Sequence, residues 1–254
     1  MIAFVFDNSF EGLLTSIFES YRLKMVPDAF FAENGAQPPL FAERIIIATE
    51  EEKAARVWKK VAERTSGENA HRLYRVFLSG LPDVPMLIFQ YIALVVEKEH
   101  NIESDFSLLP VLEVMKLHRK VVREAHRIQM FTRFQQTGDG SYYASFLPQY
   151  DVLPLVIPHF KDRFADQIWT LYDLKRNYGF HWDLKTVSRI SFDNLPVNRH
   201  SGQLYDQFLD PAEIKFQSLW KQYYHSINIE ERRNYKVHRQ FLPKRFWRFL
   251  PEKS

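Results

Sequence analysis

A hairpin signal in the middle of the chain limits the fold more than any other sequence feature. The tetrapeptide "TGDG" at 137–140 separates two segments with strand-forming composition, "MFTRFQ" and "SYYASFLP". One helix pattern, "DVLPLVIPHFKDRFADQ", follows, and then come three further strand candidates, "IWTLYDL", "GFHWDL" and "TVSRISF". The order β-β-α-β-β-β predicts an antiparallel sheet with a helix across one face.

The chain opens with two strand–helix pairs. The segment "IAFVF" at 2–6 has the composition of a buried strand, and Ser9 is placed to cap a helix whose apolar residues recur every three or four positions. The segment "ERIIIAT" at 43–49 predicts a second strand, with Thr49 as the cap of the helix that follows. Residues 68–99 are typical of two helices interrupted by "SGLPDVP".

These patterns together predict an α+β fold. We expect an N-terminal β-α-β-α unit and a helical middle in residues 1–107, and a central helix with the antiparallel sheet and its covering helix in 108–209. Residues 210–254 form a helical basic tail in this prediction. Hydrophobic residues make up 46% of the chain, which is enough for a sizeable core, so we expect the three segments to pack as one globular unit.

A regular row of cations lies on the predicted central helix, at about 108–129. At about 100° per residue, its members fall within roughly a 100° arc, opposite an apolar stripe that includes His118. The row is either an ordinary solvated face or a binding surface for a polyanion, and the helix by itself does not choose between them. His126 lies at the edge of the row. The row consists of Lys116, Arg119, Lys120, Arg123 and Arg127.

The C-terminal segment carries most of the positive charge. Residues 211–254 hold ten Lys and Arg against four Asp and Glu, a formal charge of +6, whereas the whole chain carries +3. Aromatic rings alternate with these cations, as in surfaces where rings stack on bases and cations hold phosphates. The rings could equally dock the tail onto the body, and both arrangements are compatible. The cations are Arg232, Arg233, Lys236, Arg239, Lys244, Arg245 and Arg248, and the rings are Tyr235, Phe241, Phe246, Trp247 and Phe249.

Residues 159–183 are rich in side chains that often act at functional sites. His159, Arg163 and Asp166 are three or four positions apart, so they share a face if the helix continues through them. A His and an Asp in this arrangement can transfer protons, or they can form a satisfied polar cluster beneath a sheet. Lys175 and Arg176 lie in a tight connection between two strand candidates and resemble a hairpin tip directed at a phosphate.

Several kinds of site are excluded by what the chain lacks. It has no cysteine, and this excludes disulfides, a thiol nucleophile and a cysteine-held iron–sulfur cluster on this chain. Its nine histidines show no metal-ligand spacing, so we expect no metal and no cofactor. The start lacks a basic signal-peptide region, and the longest apolar run, at 86–96, is too short to cross a bilayer. We therefore expect a soluble cytoplasmic protein.

Three long blocks of the chain match a known pattern: "LHRKVVREAHRIQMFTRF", "YYASFLPQYDVLPLVIPHFKDRFADQIWTLYDLKRNYG" and "ERRNYKVHRQFLPKRFWRFL". The opening "FDNSFEGLLTSIFESY" and "PDAFF" match as well, so the resemblance covers nearly the whole chain. These segments resemble a bacterial family assigned to DNA metabolism or repair, whose members accompany a radical S-adenosylmethionine protein. In some relatives a similar domain is fused ahead of a uracil-DNA-glycosylase-like domain.

The resemblance implies a DNA-related role and a partner enzyme. Since radical chemistry of this kind needs a cysteine-held cluster, the cluster would belong to the partner. The glycosylase-like catalytic domain is absent here, so the resemblance does not imply glycosylase activity. The matching blocks suggest a central patch of Arg123, His126, Arg127, Arg133, His159, Arg163, Asp166 and Trp169, and a tail patch of Arg232, Arg233, Lys244 and Arg245.

Three hypotheses for function follow. The first is a DNA-binding accessory protein in DNA repair or modification, acting with a radical S-adenosylmethionine partner enzyme. The second is an enzyme, such as a lyase or hydrolase acting on damaged nucleic acid through His159 and Asp166. The third is a protein adaptor whose cations meet an acidic face of the partner.

Overall fold

The computed structural model describes residues 1–227, 229, 231 and 234–253. The chain divides into two compact units, Met1–Val122 and Arg123–Ser254. The boundary between these units falls inside one long helix, whereas the three predicted segments meet at 107/108 and 209/210.

The first unit contains a small parallel sheet. Its strands are β1 (Ile2–Phe6), β2 (Ala29–Ala32) and β3 (Glu43–Ile46), in the order β2-β1-β3. The central strand is the most buried, because helices cover the sheet: Ala3 and Phe4 have no exposed surface. The predicted first and last strands are confirmed. The middle strand was missed because "AFFA" is too short to show a period of two.

Four helices complete the layers of this unit, and the predicted helices are confirmed. They are α1 (Phe10–Leu23), α2 (Glu51–Arg64), α3 (Gly67–Phe77) and α4 (Val84–Glu97). The hydroxyl of Ser9 accepts a hydrogen bond from the Gly12 amide at 2.8 Å, as expected of a helix cap. The prediction for Thr49 was wrong. Glu50 occupies the cap position of α2, and the Thr49 side chain interacts with Asp7 instead.

The predicted central helix is confirmed as α5 (Leu109–Phe131), which contributes its first part to one unit and its last part to the other. The apolar stripe expected opposite the cations is confirmed in part, since Val111, Val114 and Ala125 are buried but Val122 is 39% exposed. The buried face continues through Val121 and Ile128. Among the residues that the structure describes, no helix combines the length and apolar character needed to cross a membrane.

The second unit is built on a five-stranded sheet in the order β4-β5-β6-β7-β8. The hairpin around "TGDG" is confirmed, because β4 and β5 pair antiparallel. The strands are β4 (Gln135–Gln136), β5 (Tyr142–Phe146), β6 (Trp169–Asp173), β7 (Tyr178–Trp182) and β8 (Val187–Ile190).

The α+β class is confirmed, with one difference inside the sheet. The pair β5–β6 is parallel, while the other three pairs are antiparallel. The reason lies in the connection: α6 (Leu153–Arg163) carries the chain back to the end of the sheet where β5 began, so β6 runs in the same direction as β5. Successive strands joined by tight turns reverse direction, and β6, β7 and β8 do so.

The two faces of this sheet are covered differently. On one face α6 packs through Phe160 against Trp169, with ring centroids 6.4 Å apart. On the other face the loop of residues 191–209 covers Tyr143 and Tyr172 with Val197 and Leu204. Alternate residues of each strand point to opposite faces, which is why the buried aromatic residues of β5 and β6 divide between the two sides.

In the described residues after the sheet, the α-helices are α7 (Pro211–Ser226), α8 (Tyr235–Phe241) and α9 (Lys244–Trp247). The predicted start of α7 is confirmed, since Asp210 accepts a hydrogen bond from the Ala212 amide at 2.7 Å. Of the tail rings, Phe246 is buried and packs on Phe131 with centroids 5.6 Å apart, whereas Tyr235 and Phe241 are exposed. Some rings therefore anchor the tail while others face solvent.

Candidate nucleic-acid interface

A buried acid organises the positive surface of the second unit. Glu124 lies on the inner side of α5 and is only 2% exposed. One carboxylate oxygen accepts a hydrogen bond from the Gln149 amide at 2.9 Å, and the other pairs with the Arg245 guanidinium of α9. The predicted helix row and the tail are thus in direct contact at this point.

Two further arginines of α5 lie beside this ion pair. Arg127 donates a hydrogen bond to the backbone carbonyl of Gln240 at the end of α8, at 3.3 Å. Burial lowers the pKa of Arg127, and the positive charges of Arg245 and Arg123 lower it further, while Glu124 opposes them. Arg127 therefore lies among like charges, next to the Arg245–Glu124 ion pair.

The hairpin tip between β6 and β7 brings two more cations to the same place. The Gln149 carbonyl accepts hydrogen bonds from Lys175 Nζ at 3.0 Å and from an Arg176 guanidinium nitrogen at 3.3 Å. Arg176 also pairs with Asp173 at 2.8 Å. Burial raises the pKa of the Asp173 carboxyl, and the hydrogen bond and charge of Arg176 oppose that rise.

The basic residues described in the preceding paragraphs form a group of five that we call the cation cluster. Two buried acids, Glu124 and Asp173, pair with members of this cluster. Five positive charges therefore stand against two negative charges, and an excess of about three positive charges remains at neutral pH. The cluster consists of Arg123, Arg127, Lys175, Arg176 and Arg245.

The cluster retains donors that the protein does not use. Arg123 is exposed and forms no hydrogen bond or ion pair with any described residue. Each guanidinium carries five N–H donors, whereas Arg127 has one hydrogen bond to the described part of the chain. An anion with several oxygens, such as a phosphodiester, would satisfy these donors, and bidentate pairing favours arginine for that purpose.

The first half of the predicted row belongs to the other unit and is more nearly neutralised. Lys116 pairs with Glu113 at 2.7 Å. Lys116 and Lys120 line an open cleft that also contains Asp28 and Asp83. Arg119 is exposed and has no partner in the described part of the chain. His118 is half-buried, as expected from its place on the apolar stripe.

Two residues of the suggested central patch have side chains that interact within the protein. Trp169 is 1% exposed and lies in the core, where its indole N–H donates to the Phe164 carbonyl at 3.3 Å. The suggestion that Trp169 contacts nucleic acid is therefore corrected, because no ring face is available. Arg133 donates to the nearly buried carboxylate of Glu252 at 2.8 Å. His126 and Arg163, in contrast, are exposed.

The suggested acid–base pair is not assembled. Because α6 ends at Arg163, Asp166 lies beyond the helix, and the expected shared face holds only for His159 and Arg163. His159 and Asp166 are both exposed, and no described residue hydrogen-bonds to either of them. His159 makes one ring contact, with Phe160.

The remaining described tail residues of the predicted site lie on α8 and α9. Arg239 and Lys244 are exposed, and Lys244 lies 6.0 Å from the centroid of the half-buried Trp247 ring. The Trp247 N–H donates to the Leu242 carbonyl at 3.1 Å. Arg232 and Arg233 lie outside the described residues.

The acceptors that bind these cations were not predicted from the sequence. Glu124 was expected beside the row, but it is three residues after Val121 and four before Ile128, which places it on the buried stripe. That spacing was a usable signal. Gln149 acts through tertiary contacts that its local sequence does not indicate. Asp173 instead bonds within its own turn, to the amides of Lys175 and Arg176 and to the Arg176 guanidinium.

Comparison with known proteins supplies a family. A family model described as "Domain of unknown function (DUF4130)" matches residues 82–252, which is well over half of the chain and includes the whole cation cluster. No curated protein and no solved structure matched. Among the described residues, no group of three or more histidine, aspartate or glutamate side chains could hold a metal ion.

Proposed function

The chain belongs to the family described as a domain of unknown function (DUF4130), and on that premise we propose that it is a DNA-binding accessory protein acting in DNA repair or modification with a radical S-adenosylmethionine partner enzyme. The observation that carries the DNA-binding part is the convergence of the cation cluster around Glu124 and Gln149. Three segments far apart in sequence supply it: the end of α5, the β6–β7 turn and α9.

The chemistry of the cluster supports a polyanion over a single small anion. The cations of the cluster come from three elements and outnumber the two buried acids that pair with them. Arg239 and Lys244, next in sequence to Gln240 and Arg245, add two exposed positive charges. Regularly spaced phosphates can contact such a surface at several places, and each contact releases condensed counterions. Binding of this kind weakens steeply as salt is added.

The partner part of the proposal rests on the resemblance and on composition. This chain has no cysteine, so it holds no cysteine-ligated iron–sulfur cluster, and the radical step would occur on the partner. In this arrangement the accessory protein supplies affinity for DNA, while the partner supplies the reaction.

DNA binding is tested by fluorescence anisotropy with labelled single-stranded and double-stranded oligonucleotides over a series of salt concentrations. We expect association at low salt and a linear fall of log affinity with log salt. Arg123→Glu should weaken binding about tenfold or more, because it replaces an unpaired donor by a repelling charge. Lys185→Glu is the matched control, since Lys185 is exposed in the same unit but outside the cluster. Absence of binding at low salt would remove the proposal.

The partner is tested separately by co-expression with the radical S-adenosylmethionine protein encoded beside a member of this family. We expect the two proteins to co-purify after nuclease treatment. If they separate while the chain still binds DNA, the DNA-binding part stands and the partnership is rejected.

A protein adaptor is the second candidate, and one observation favours it. The outer side of α7 exposes an apolar stripe at helical spacing, and exposed apolar patches on soluble proteins often mark protein interfaces. Co-purification that survives nuclease, without binding to free DNA, and that is lost on Phe216→Ser with Tyr223→Ser, would promote the adaptor. The stripe consists of Phe216, Leu219, Tyr223 and Ile227.

A further inference from the structure

The second unit contains a cleft on the face of its sheet that α6 does not cover. Tyr143, Thr170 and His181 line its floor from three neighbouring strands. Tyr143 pairs directly with Thr170, and Thr170 with His181, so the three side chains stand in one row across the sheet. The cleft holds about 630 Å³, within the range of roughly 300–1,000 Å³ that is common for small-molecule sites.

Two phenylalanines form apolar walls. Phe192 packs on the Tyr172 ring with centroids 5.1 Å apart, so it is held in place by the core. Phe208 is 42% exposed and lines the cleft near the hairpin turn. The backbone carbonyl of Phe208 accepts a hydrogen bond from the Gly138 amide at 3.0 Å, which joins this wall to the turn. A planar ring could lie between such walls.

Two polar groups of the cleft, His181 and Asp139, have unused hydrogen-bonding capacity. The Tyr143 ring contributes to the floor, but its hydroxyl is buried and is not reached from the cleft. His181 Nδ1 is bonded to the Thr170 hydroxyl at 2.9 Å, and no described residue bonds to its Nε2.

Asp139 supplies the charge of the cleft. Its Oδ1 accepts hydrogen bonds from Thr137 and from the amide and hydroxyl of Ser141, which fixes the side chain at the turn. These bonds lower the pKa of Asp139 to about 2. Its Oδ2 accepts no hydrogen bond from any described residue, so an ionised acceptor is available at the rim.

The lining also discriminates by charge. None of the described residues that line the cleft is a lysine or an arginine, so a phosphate group would meet Asp139 without a compensating cation from this part of the chain. An uncharged planar ring that donates hydrogen bonds fits better, since amine donors pair well with a carboxylate. The phenylalanine rings would supply stacking, and His181 Nε2 would gain a hydrogen-bond partner.

We propose that this cleft binds a single unstacked nucleobase that carries an exocyclic amine, namely adenine, cytosine or guanine. The amine donates to Asp139 Oδ2, the ring stacks on Phe208, and a ring nitrogen or carbonyl atom meets His181 Nε2. This site would extend the proposed function. It rests on the proposed function in one respect only, namely the source of the base, which would be an unpaired nucleotide in a bound DNA strand.

The first experiment uses free nucleosides, which carry no phosphate and therefore do not need the cation cluster. Adenosine, cytidine, guanosine, thymidine and uridine are each titrated against the full chain, with binding followed by ligand-observed NMR and calorimetry. We expect the three amine-bearing nucleosides to bind about tenfold more tightly than thymidine and uridine, the scale of discrimination given by one well-placed polar contact.

Matched variants locate the site. Phe208→Ala should weaken nucleoside binding about tenfold by removing a stacking partner, while Phe106→Ala, a ring of similar exposure (45%) in the other unit, should not. Asp139→Asn keeps the turn-forming Oδ1 but removes the charge, and should abolish the preference for amine-bearing nucleosides. Asp183→Asn is its control, because Asp183 fixes the β7–β8 turn in the same way, through the Lys185 and Thr186 amides.

A second experiment tests whether the ligand of the cleft is a base within a DNA strand or a free nucleoside. An oligonucleotide with one unpaired adenine should bind more tightly than the same oligonucleotide with an abasic position, and Phe208→Ala should erase that difference. If nucleosides bind but the two oligonucleotides bind equally, the ligand is a free nucleoside and the strand as source is rejected.

Failure of the two proposals can be told apart. No nucleoside binding at millimolar concentration, or binding that is indifferent to Phe208→Ala, overturns the cleft proposal even if DNA binds the cation cluster. If nucleosides bind but DNA does not associate at low salt, the cleft proposal stands and only the proposed function is rejected.

Discussion

Arg245 and Glu124 lie 121 residues apart in the chain and form an ion pair whose carboxylate is almost fully buried. The pair fixes the C-terminal α9 to the last turns of α5. A buried carboxylate is stable only when positive groups or hydrogen-bond donors surround it, and Arg245 and the Gln149 amide supply these to Glu124.

Removing the cation from this pair should destabilise the second unit. We expect Arg245→Met to lower the free energy of unfolding by about 2 kcal/mol, the scale for losing a hydrogen bond to a charged buried group. Urea unfolding followed by tryptophan fluorescence measures the change. Glu124→Gln combined with Arg245→Met should recover part of the loss, since no unpaired charge is then buried.

The control for this prediction is an exposed pair. Lys59 and Glu63 approach to 3.8 Å on α2, and the Lys59 side chain is 77% exposed. Such pairs contribute little, so Lys59→Met should change stability by less than about 0.5 kcal/mol. An equal effect of the two substitutions would show that the Arg245–Glu124 pair has no special role in stability.

The unpaired Arg123 should contribute to the salt dependence of DNA binding. Replacing a residue that contacts a phosphate reduces the slope of log affinity against log salt by about 1. We therefore expect Arg123→Ala to reduce the slope by about that amount, and Lys185→Ala to leave it unchanged. A slope identical to that of the wild type would place Arg123 outside the interface.

Trp169 should behave as a core residue. Trp169→Ala is expected to cost about 3–5 kcal/mol of stability through the cavity that it leaves. The milder Trp169→Phe should fold, and its DNA affinity at fixed salt should match that of the wild type, because the indole has no exposed surface for a base. A folded Trp169→Phe variant with weakened DNA binding would restore Trp169 to the interface.

The pH dependence of stability should contain a contribution from His118. Burial first, and then the charges of Arg72 and Arg75, lower the pKa of His118 from 6.5 to about 4, while Glu68 opposes them. Between these two pH values the unfolded chain binds more protons than the folded one, so the stability falls as the pH falls from about 6.5 to 4.

The size of the His118 effect follows from its partial burial. After allowance for solvent screening we expect a contribution of about 1–2 kcal/mol. His118→Gln should reduce the stability difference between pH 7 and pH 4.5, as measured by urea unfolding at each pH. His100→Gln, which removes an exposed imidazole, is the control. An unchanged difference in His118→Gln would show that other groups govern the pH response.

Local structure in this protein could be predicted from local sequence. The strands at 2–6 and 178–182, the helix caps at Ser9 and Asp210, and the hairpin around "TGDG" all depend on residues that are close together in the chain. Periodicity, capping and turn chemistry act over a few residues, so one sequence is enough to read them.

Long-range pairing needed the tertiary structure. The predicted row on α5 contains two kinds of cation. Lys116 and Lys120 lie near acids of the first unit, whereas Arg123 and Arg127 belong to the cation cluster. Helical spacing alone does not show which cations belong to which group. Trp169 has the composition of a binding residue but faces the core, because strand alternation places it towards α6.

The sequence by itself determined the α+β class, the position of most helices and strands, the absence of cysteine chemistry, and which segments are cationic. Only the tertiary structure decided that Glu124 and the Gln149 peptide would bring Arg245, Lys175 and Arg176 to the end of α5, and that three strands would open a cleft over Tyr143. Secondary structure follows from interactions within a few residues, whereas these sites depend on contacts between segments separated by about 25 to 120 positions.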